Sequence, residues 1–199
     1  MALAWITVVV GAAVVFVTAT VGRPTDVEAF TPTPPDSVEV GARLWGPHTF
    51  TVDASDPERW RYFAFSRASV VEEPGPTEWD LAFRRFHVVA NGGPGFAGDA
   101  GVLALGDVSF DSVTVVPGAG YVQAPSRADS TNAALERWYT YSWTSHLLSS
   151  RPTVYAVRTA AGRYAKLQMR GYYCEGARPG CVTFRFVYQG AGGTDVATP

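Results

Sequence analysis

Histidines are the residues of this sequence that could bind iron, and there are three: His48, His87 and His146. Ligation of one iron by two histidines requires that both side chains converge on one cavity. His48 starts a predicted strand, His87 lies within another, and His146 lies in the predicted loop TSHLLSSRP. Their spacing forms no pair, and a lone histidine on a strand is most often a packed sheet residue.

The carboxylates give no case for catalysis. Glu72, Glu73, Glu78 and Asp80 cluster around EEPGPTEWD, a Pro/Gly turn on which we interpret them as a solvated rim. The sequence contains no G-x-S-x-G, H-E-x-x-H, S-x-x-K or Walker motif. We therefore expect a protein that is not an enzyme.

The two cysteines, Cys174 and Cys181, have six residues between them, which excludes C-x-x-C redox or zinc spacing. Strand-like residues flank both, and EGARPG between them is typical of a turn. This predicts a disulfide across a hairpin, worth roughly 2.5 kcal/mol by loop entropy, and an oxidising compartment. Two unrelated buried thiols are the alternative.

Aromatic residues raise the possibility of sugar stacking. Trp60, Trp79, Trp138 and Trp143 each fall within a predicted strand, where core packing is the simpler explanation. A carbohydrate-binding module is kept as a third functional hypothesis. The net charge of −2 gives no electrostatic basis for binding nucleic acid.

Residues 2–22 carry no charge and would span roughly 31 Å as a helix, which is about one hydrocarbon core. They predict a single transmembrane anchor over 1–23; a secretory signal ending at VTA is the alternative. Small residues in the anchor would allow close approach to helices of an integral membrane partner. The candidate anchor residues are Trp5, Gly11, Ala12, Ala13 and Phe16. With a disulfide beyond it, the anchor predicts a cytoplasmic (inner) membrane protein whose C-terminal domain is periplasmic.

Elements downstream of the anchor define the remaining organisation. Prolines predict an extended tether over 24–46, period-two patterns predict a β domain over 47–190, and 191–199 reads as a flexible tail. WDLAFRRFHVVA reads as one long strand, and only STNAALER resembles a helix. The fold class is all-β, an antiparallel sandwich or barrel-like domain preceded by a single transmembrane helix.

Four ordered blocks, FTVDASDPERWRYFAFS, WDLAFRRFHVVANGG, TVYAVRTAAGRYAKLQ and GCVTFRFVY, resemble the HmuY family of β-rich haem-binding proteins. The resemblance covers about 50–188 and implies paired histidine ligands, one in the middle of the chain and one before TVYAVRT. The middle region APSRADSTNAALER has neither histidine nor methionine, and Trp143 aligns with the second position. His146, close by, is the only candidate haem residue.

With the family ligands missing, we interpret the chain as a membrane-anchored structural subunit without a cofactor. It would clamp a larger integral membrane protein complex from the periplasmic side, and would also contact the lipid bilayer through its helix. A photosynthetic reaction centre with its light-harvesting ring is the specific expectation. A haem-binding, haemophore-like protein is the alternative.

Overall fold

Antiparallel strands dominate a computed structural model of the protein, which describes residues 10, 11, 15, 27–36, 39–125 and 131–198. The strands are β1 (Leu44–Asp53), β2 (Arg61–Ala64), β3 (Ser69–Val71), β4 (Leu81–Arg84), β5 (His87–Ala90), β6 (Gly101–Gly106), β7 (Tyr139–Tyr141), β8 (Leu148–Ser150), β9 (Val154–Arg158), β10 (Tyr164–Cys174) and β11 (Arg178–Gln189). Short 3-10 turns occur at Phe65–Arg67, Phe110–Ser112 and Glu175–Ala177.

The strands form two sheets and a separate hairpin. The larger sheet has the order β1-β11-β10-β9-β6, the smaller one β3-β2-β4-β5, and β7 pairs only with β8. Every pairing between these strands is antiparallel. The prediction of an all-β antiparallel domain is confirmed, as two packed sheets.

Phenylalanines from both sheets form the centre of the core. Phe83 of the smaller sheet stacks on Phe184 of the larger one, with ring centroids 5.4 Å apart. Phe63 meets Phe184 and Phe186 edge-on at 5.1 and 5.6 Å. All four are completely buried. Alternation along the strands places these rings on the inner faces, where their burial holds the sheets together.

Two element predictions are wrong. The stretch 79–90 is a hairpin rather than one strand, because the chain reverses between β4 and β5, with Arg84 opposite His87. Arg85 adopts a left-handed φ of 54°, and its backbone N–H donates to the Ala54 carbonyl, which holds the turn. The described part of STNAALER forms turns instead of a helix, since the buried Asn132 side chain caps the Ala134 N–H.

The proline-rich tether lies against the β domain itself. Phe30 N donates to the Tyr173 carbonyl at 2.8 Å, and the Phe30 ring occupies space that a side chain at position 171 would need. Thr33 exchanges hydrogen bonds with Thr51, through its backbone N–H and its hydroxyl. The described contacts of the tether are therefore with the chain's own strands.

The C-terminal segment, which we expected to be a flexible tail, packs on the outer face of the larger sheet up to residue 198. Val196 is fully buried, and its N–H donates to the Thr114 carbonyl at 2.7 Å. Beneath it lies Lys166, also fully buried, whose Nζ donates to the carbonyls of Phe110 and Val113 and to the Thr198 hydroxyl.

The predicted anchor lies largely outside the described residues. Trp5, Ala12, Ala13 and Phe16 are among those not described, whereas Gly11 is helical. Within the described part of the chain, no helix has the length and hydropathy needed to cross a bilayer.

Candidate functional site

The β7–β8 hairpin carries His146 on the loop that joins its strands. Ser142 N donates to the Leu147 carbonyl at 2.9 Å and His146 N to the Ser142 carbonyl at 2.8 Å, which closes the loop. His146 has a left-handed φ of 56°, a conformation that non-glycine residues adopt rarely and that often occurs at functional sites.

Beneath this hairpin is a cleft of about 370 Å³. Its position depends on β10, because Leu148 N donates to the Tyr173 hydroxyl at 2.8 Å and the Ser150 hydroxyl donates to the Arg170 carbonyl. The cleft is lined by Arg85, Phe86, Tyr139, Tyr141, His146, Leu147, Leu148, Tyr172, Tyr173, Ala177 and Pro179. Most of the lining side chains are therefore aromatic or aliphatic, and the polar groups among them are tyrosine hydroxyls, the His146 imidazole and the Arg85 guanidinium.

Tyr141 and His146 form the most chemically capable pair in the cleft. The Tyr141 hydroxyl lies 2.5 Å from Nδ1 of His146, and both side chains are exposed. When Nδ1–H donates to the phenol oxygen, the lone pair of the imidazole is on Nε2, which is then free to bind a metal. The pair could equally present the phenol oxygen of Tyr141, a known haem ligand type.

Arg85 supplies a fixed positive charge to the same cleft. Its Nη1 donates to the Ser55 carbonyl at 3.0 Å and lies 3.4 Å from the Pro179 carbonyl. None of the residues that line the cleft is acidic. The cleft therefore favours a ligand that combines a large apolar surface with negative charge.

The other histidines lie elsewhere. His48 is exposed on β1, 6.0 Å from the Phe186 ring. Nδ1 of His87 pairs with the Thr131 hydroxyl at 3.0 Å, and burial, with a contribution from Arg84, lowers the pKa of His87. Neither lines the cleft, so His146 has no histidine partner there. Among the described residues, no cluster of acidic, histidine or cysteine side chains could hold a metal ion by itself.

The predicted disulfide is confirmed. Cys174 and Cys181 are bonded, with Cα atoms 5.0 Å apart, at the turn that joins β10 to β11. That turn also contributes Ala177 and Pro179 to the cleft. The bond therefore ties together one side of the candidate site.

Among the described residues, Trp60, Trp138 and Trp143 share neither a ring contact nor a cavity that could serve as a sugar-stacking platform. Trp138 is 1% exposed, and its Nε1 donates to the Phe86 carbonyl, as expected of a core residue. Trp60 lies under the Arg84 guanidinium at 4.5 Å. Trp143 is 82% exposed on the hairpin loop, next to Tyr141.

Sequence reasoning found His146 but missed the aromatic residues and the arginine around it. The stretches YTYSW and GYYC held the signal, because they concentrate tyrosines near the histidine and the disulfide. Arg85 could not be identified, since its position depends on the unpredicted turn between β4 and β5.

Comparison with known proteins gives consistent matches. The family model described as HmuY protein matches residues 56–186. An apo HmuY analogue of Tannerella forsythia has 17% identity and a TM-score of 0.57, covering 76% of this chain and 99% of that one. A proposed HmuY-like haem-binding protein of Bacteroides vulgatus has 22% identity and a TM-score of 0.57, covering 74% and 93%. A proposed lipoprotein of Bacteroides fragilis has 19% identity and a TM-score of 0.57, covering 77% and 93%. No curated protein matches the chain.

These matches overturn our interpretation of the chain as a structural subunit of a photosynthetic reaction centre–light-harvesting complex. The family and two of the three structures are HmuY or HmuY-like, one of them is described as haem-binding, and none is described as a subunit of such a complex. The interpretation rested on the missing pair of histidine ligands, and the family match outweighs that absence.

Proposed function

The chain belongs to the HmuY family, and on that premise we propose that it binds haem in the cleft under the β7–β8 hairpin. The observation that carries the proposal is the hydrogen-bonded Tyr141–His146 pair at an aromatic cleft. The description of the Bacteroides vulgatus protein as haem-binding supports the same ligand class.

The residues present fit a haem. A volume of about 370 Å³ lies within the range of small-molecule sites, and the aromatic lining suits a flat apolar macrocycle. Arg85 offers its guanidinium to the negatively charged propionates of a haem. Tyr172 and Tyr173, which are 5% and 6% exposed, add ring surface without adding charge.

His146 is the proposed iron ligand, through Nε2. Tyr141 would hold the ring and its tautomer by accepting a hydrogen bond from Nδ1, as neighbours of metal-bound histidines commonly do. The left-handed backbone at residue 146 fixes where the ring projects from the loop. A single strong protein ligand distinguishes this site from the paired histidines implied by the family resemblance.

Haemin titration of the full-length protein in a non-ionic detergent tests the proposal. We expect saturable one-to-one binding with a sharp Soret band, weakened about tenfold or more by His146→Ala. His48→Ala is the matched control, because His48 is exposed on β1 away from the cleft, and it should bind as the wild type does. Equal binding by all three proteins would contradict the proposal, since it would indicate adsorption to apolar surface or detergent.

Electronic spectra of the bound state assign the ligand atom. If Nε2 ligates, Tyr141→Phe retains the histidine-type spectrum with weaker affinity. If the phenol oxygen ligates instead, Tyr141→Phe abolishes the charge-transfer band of a tyrosinate haem, while His146→Ala preserves part of it.

Location outside the cytoplasm, with retention of residues 1–23 as a membrane anchor, is part of the same proposal. The disulfide supports an oxidising compartment. N-terminal sequencing of protein from the native membrane fraction tests it. A mature chain that begins at Thr20 would instead indicate a cleaved signal and a secreted protein. The integral membrane partner stays a prediction.

A further inference from the structure

A second cavity, of about 420 Å³, lies between the loop 72–79 and the loop 93–97. None of the residues that line it belongs to the cleft under the β7–β8 hairpin. It is lined by Tyr62, Glu72, Glu73, Pro74, Pro76, Trp79, Asn91, Gly95, Phe96 and Ala97. We propose that this cavity, hereafter the aromatic–acidic cavity, binds an alkylammonium group.

Asn91 fixes the walls of the aromatic–acidic cavity. It is 1% exposed, and its Nδ2 donates to the carbonyls of Pro76 and Trp79 at 3.0 and 2.8 Å. Its Oδ1 accepts the N–H of Gly98 at 3.4 Å, so one buried amide ties both loops. Gly75 N also donates to the Glu78 carboxylate at 3.0 Å. The cavity is thus preformed, which lowers the entropic cost of binding.

Three aromatic rings meet at the aromatic–acidic cavity. The Trp79 ring lies 5.0 Å from Tyr62 and 5.9 Å from Phe96, at interplanar angles of 64° and 74°. These edge-to-face contacts pack the rings against one another, and Trp79 is 9% exposed. The steep angles turn the ring surfaces that remain accessible in different directions, and an aromatic ring face attracts an ammonium group. Tyr62 and Phe96 are half-buried, so parts of these rings remain accessible to a ligand.

The charges at the aromatic–acidic cavity are negative. Glu72 and Glu73 are exposed, and no lysine, arginine or histidine lines the cavity. Arg61 pairs with Glu72 at 2.8 Å, whereas no hydrogen bond or ion pair joins the Glu73 side chain to another described residue. No described cationic side chain therefore offsets the negative charge of Glu73 toward a ligand.

The hydrogen-bonding groups that line the cavity favour an ammonium ligand over a sugar. The side-chain NH₂ of Asn91 is used within the fold, and the remaining side-chain polar groups are two carboxylates, the Tyr62 hydroxyl and the Trp79 indole N–H. Carboxylates only accept hydrogen bonds, so the site suits a ligand that presents N–H donors and positive charge on an apolar stem. A neutral sugar requires donors as well, and the cavity has few.

Ligand-observed NMR on the full-length protein in a non-ionic detergent tests the inference, with n-butylammonium as the probe and 1-butanol as its neutral analogue. We expect saturable n-butylammonium binding at millimolar concentration and no saturable 1-butanol binding. Glu73→Gln should weaken n-butylammonium binding roughly fivefold, and added salt should weaken it further.

Glu58→Gln is the matched control, because Glu58 is an exposed carboxylate that does not line the cavity. It should leave n-butylammonium binding unchanged. Equal losses in both variants would overturn the inference, since they would indicate attraction to acidic surface in general. Equal binding of 1-butanol, or preferential binding of methyl glucoside at the same residues, would overturn it too. Haem binding is independent of every one of these outcomes.

Discussion

Asp80 is an unpaired carboxylate in the protein interior, 6% exposed. Its Oδ2 accepts the Phe65 N–H and its Oδ1 accepts the Ala160 N–H, both at 2.7 Å. Burial raises the pKa of Asp80 to about 6, although the two hydrogen bonds oppose that shift. Asp80 thus joins the smaller sheet to the β9–β10 turn at an electrostatic cost.

The raised pKa of Asp80 predicts that the free energy of unfolding depends on pH. The pKa of Asp80 is higher in the folded chain than its usual 3.8, so the folded state binds the proton more tightly. The contribution of this group to the free energy of unfolding is therefore largest below about pH 4 and falls by roughly 3 kcal/mol as the pH rises through 6.

Asp80→Asn removes this titration. It also replaces one carboxylate oxygen by an NH₂ group, which cannot accept a hydrogen bond from the backbone N–H that it would face. We expect the variant to be less stable than the wild type at pH 4.5, by roughly 2 kcal/mol or more, with a smaller difference at pH 7.5. Urea unfolding at both pH values measures the two differences. A difference that is the same at both pH values would contradict the raised pKa.

At the residue scale, sequence alone identified the disulfide and His146. Bond formation follows from a short loop rich in turn residues, which is local information. The surroundings of His146 and the partner of Asp80 are different, because strand register brings Tyr173 to the cleft of His146 and Ala160 to Asp80. Sequence spacing carries no record of such register.

At the scale of elements, the period-two patterns that predict the β domain extend over most of the length of strands β1 and β9 and over the C-terminal part of β11. The prediction failed at β4–β5, because RRFH has no glycine, proline or asparagine to signal a turn. It also did not include β6, where glycines flank the short stretch GVLALG; this strand pairs with β9, with a register irregularity between Ala104 and Gly106.

The tether contacts Tyr173 of β10, and Tyr173 in turn supports the hairpin above the proposed haem cleft. Ala29 bridges Tyr173 in parallel, and the Tyr173 hydroxyl holds the β7–β8 hairpin through Leu148. The Phe30 ring lies where a Cβ on Gly171 would be, and the nearest ring atom would then be far inside van der Waals contact. A side chain at position 171 would therefore displace the Phe30 ring from its place.

Phe30→Ala should lower the free energy of unfolding by ~2 kcal/mol and weaken haem binding, because the support behind Tyr173 is lost. Thr31→Ala, at an exposed neighbour, is the control and should change neither. Gly171→Ala should destabilise the wild type but add little in the Phe30→Ala background, since both changes remove the same contact. Additive losses in the double variant would argue against this packing.

At the scale of the whole molecule, the sequence predicted the fold class and the family, because alternation along many strands is a global property. Residues 27–36 and 194–198 were assigned as tether and tail on composition alone. Prolines and small residues made them look independent, yet both pack on the domain through backbone hydrogen bonds, which composition does not encode.

The burial of Lys166 also determines how the chain reacts with amine-directed reagents. Lys166 is the only lysine in the sequence, and it is fully buried. Its pKa is lowered by burial, yet its three hydrogen bonds and the C-terminal segment shield Nζ from reagents. Amine-directed reagents such as N-hydroxysuccinimide esters should therefore acylate the native chain only at its α-amino group. Acylation at Lys166 would then mark molecules that have opened, so that mass spectrometry could follow unfolding with a probe that the sequence already contains.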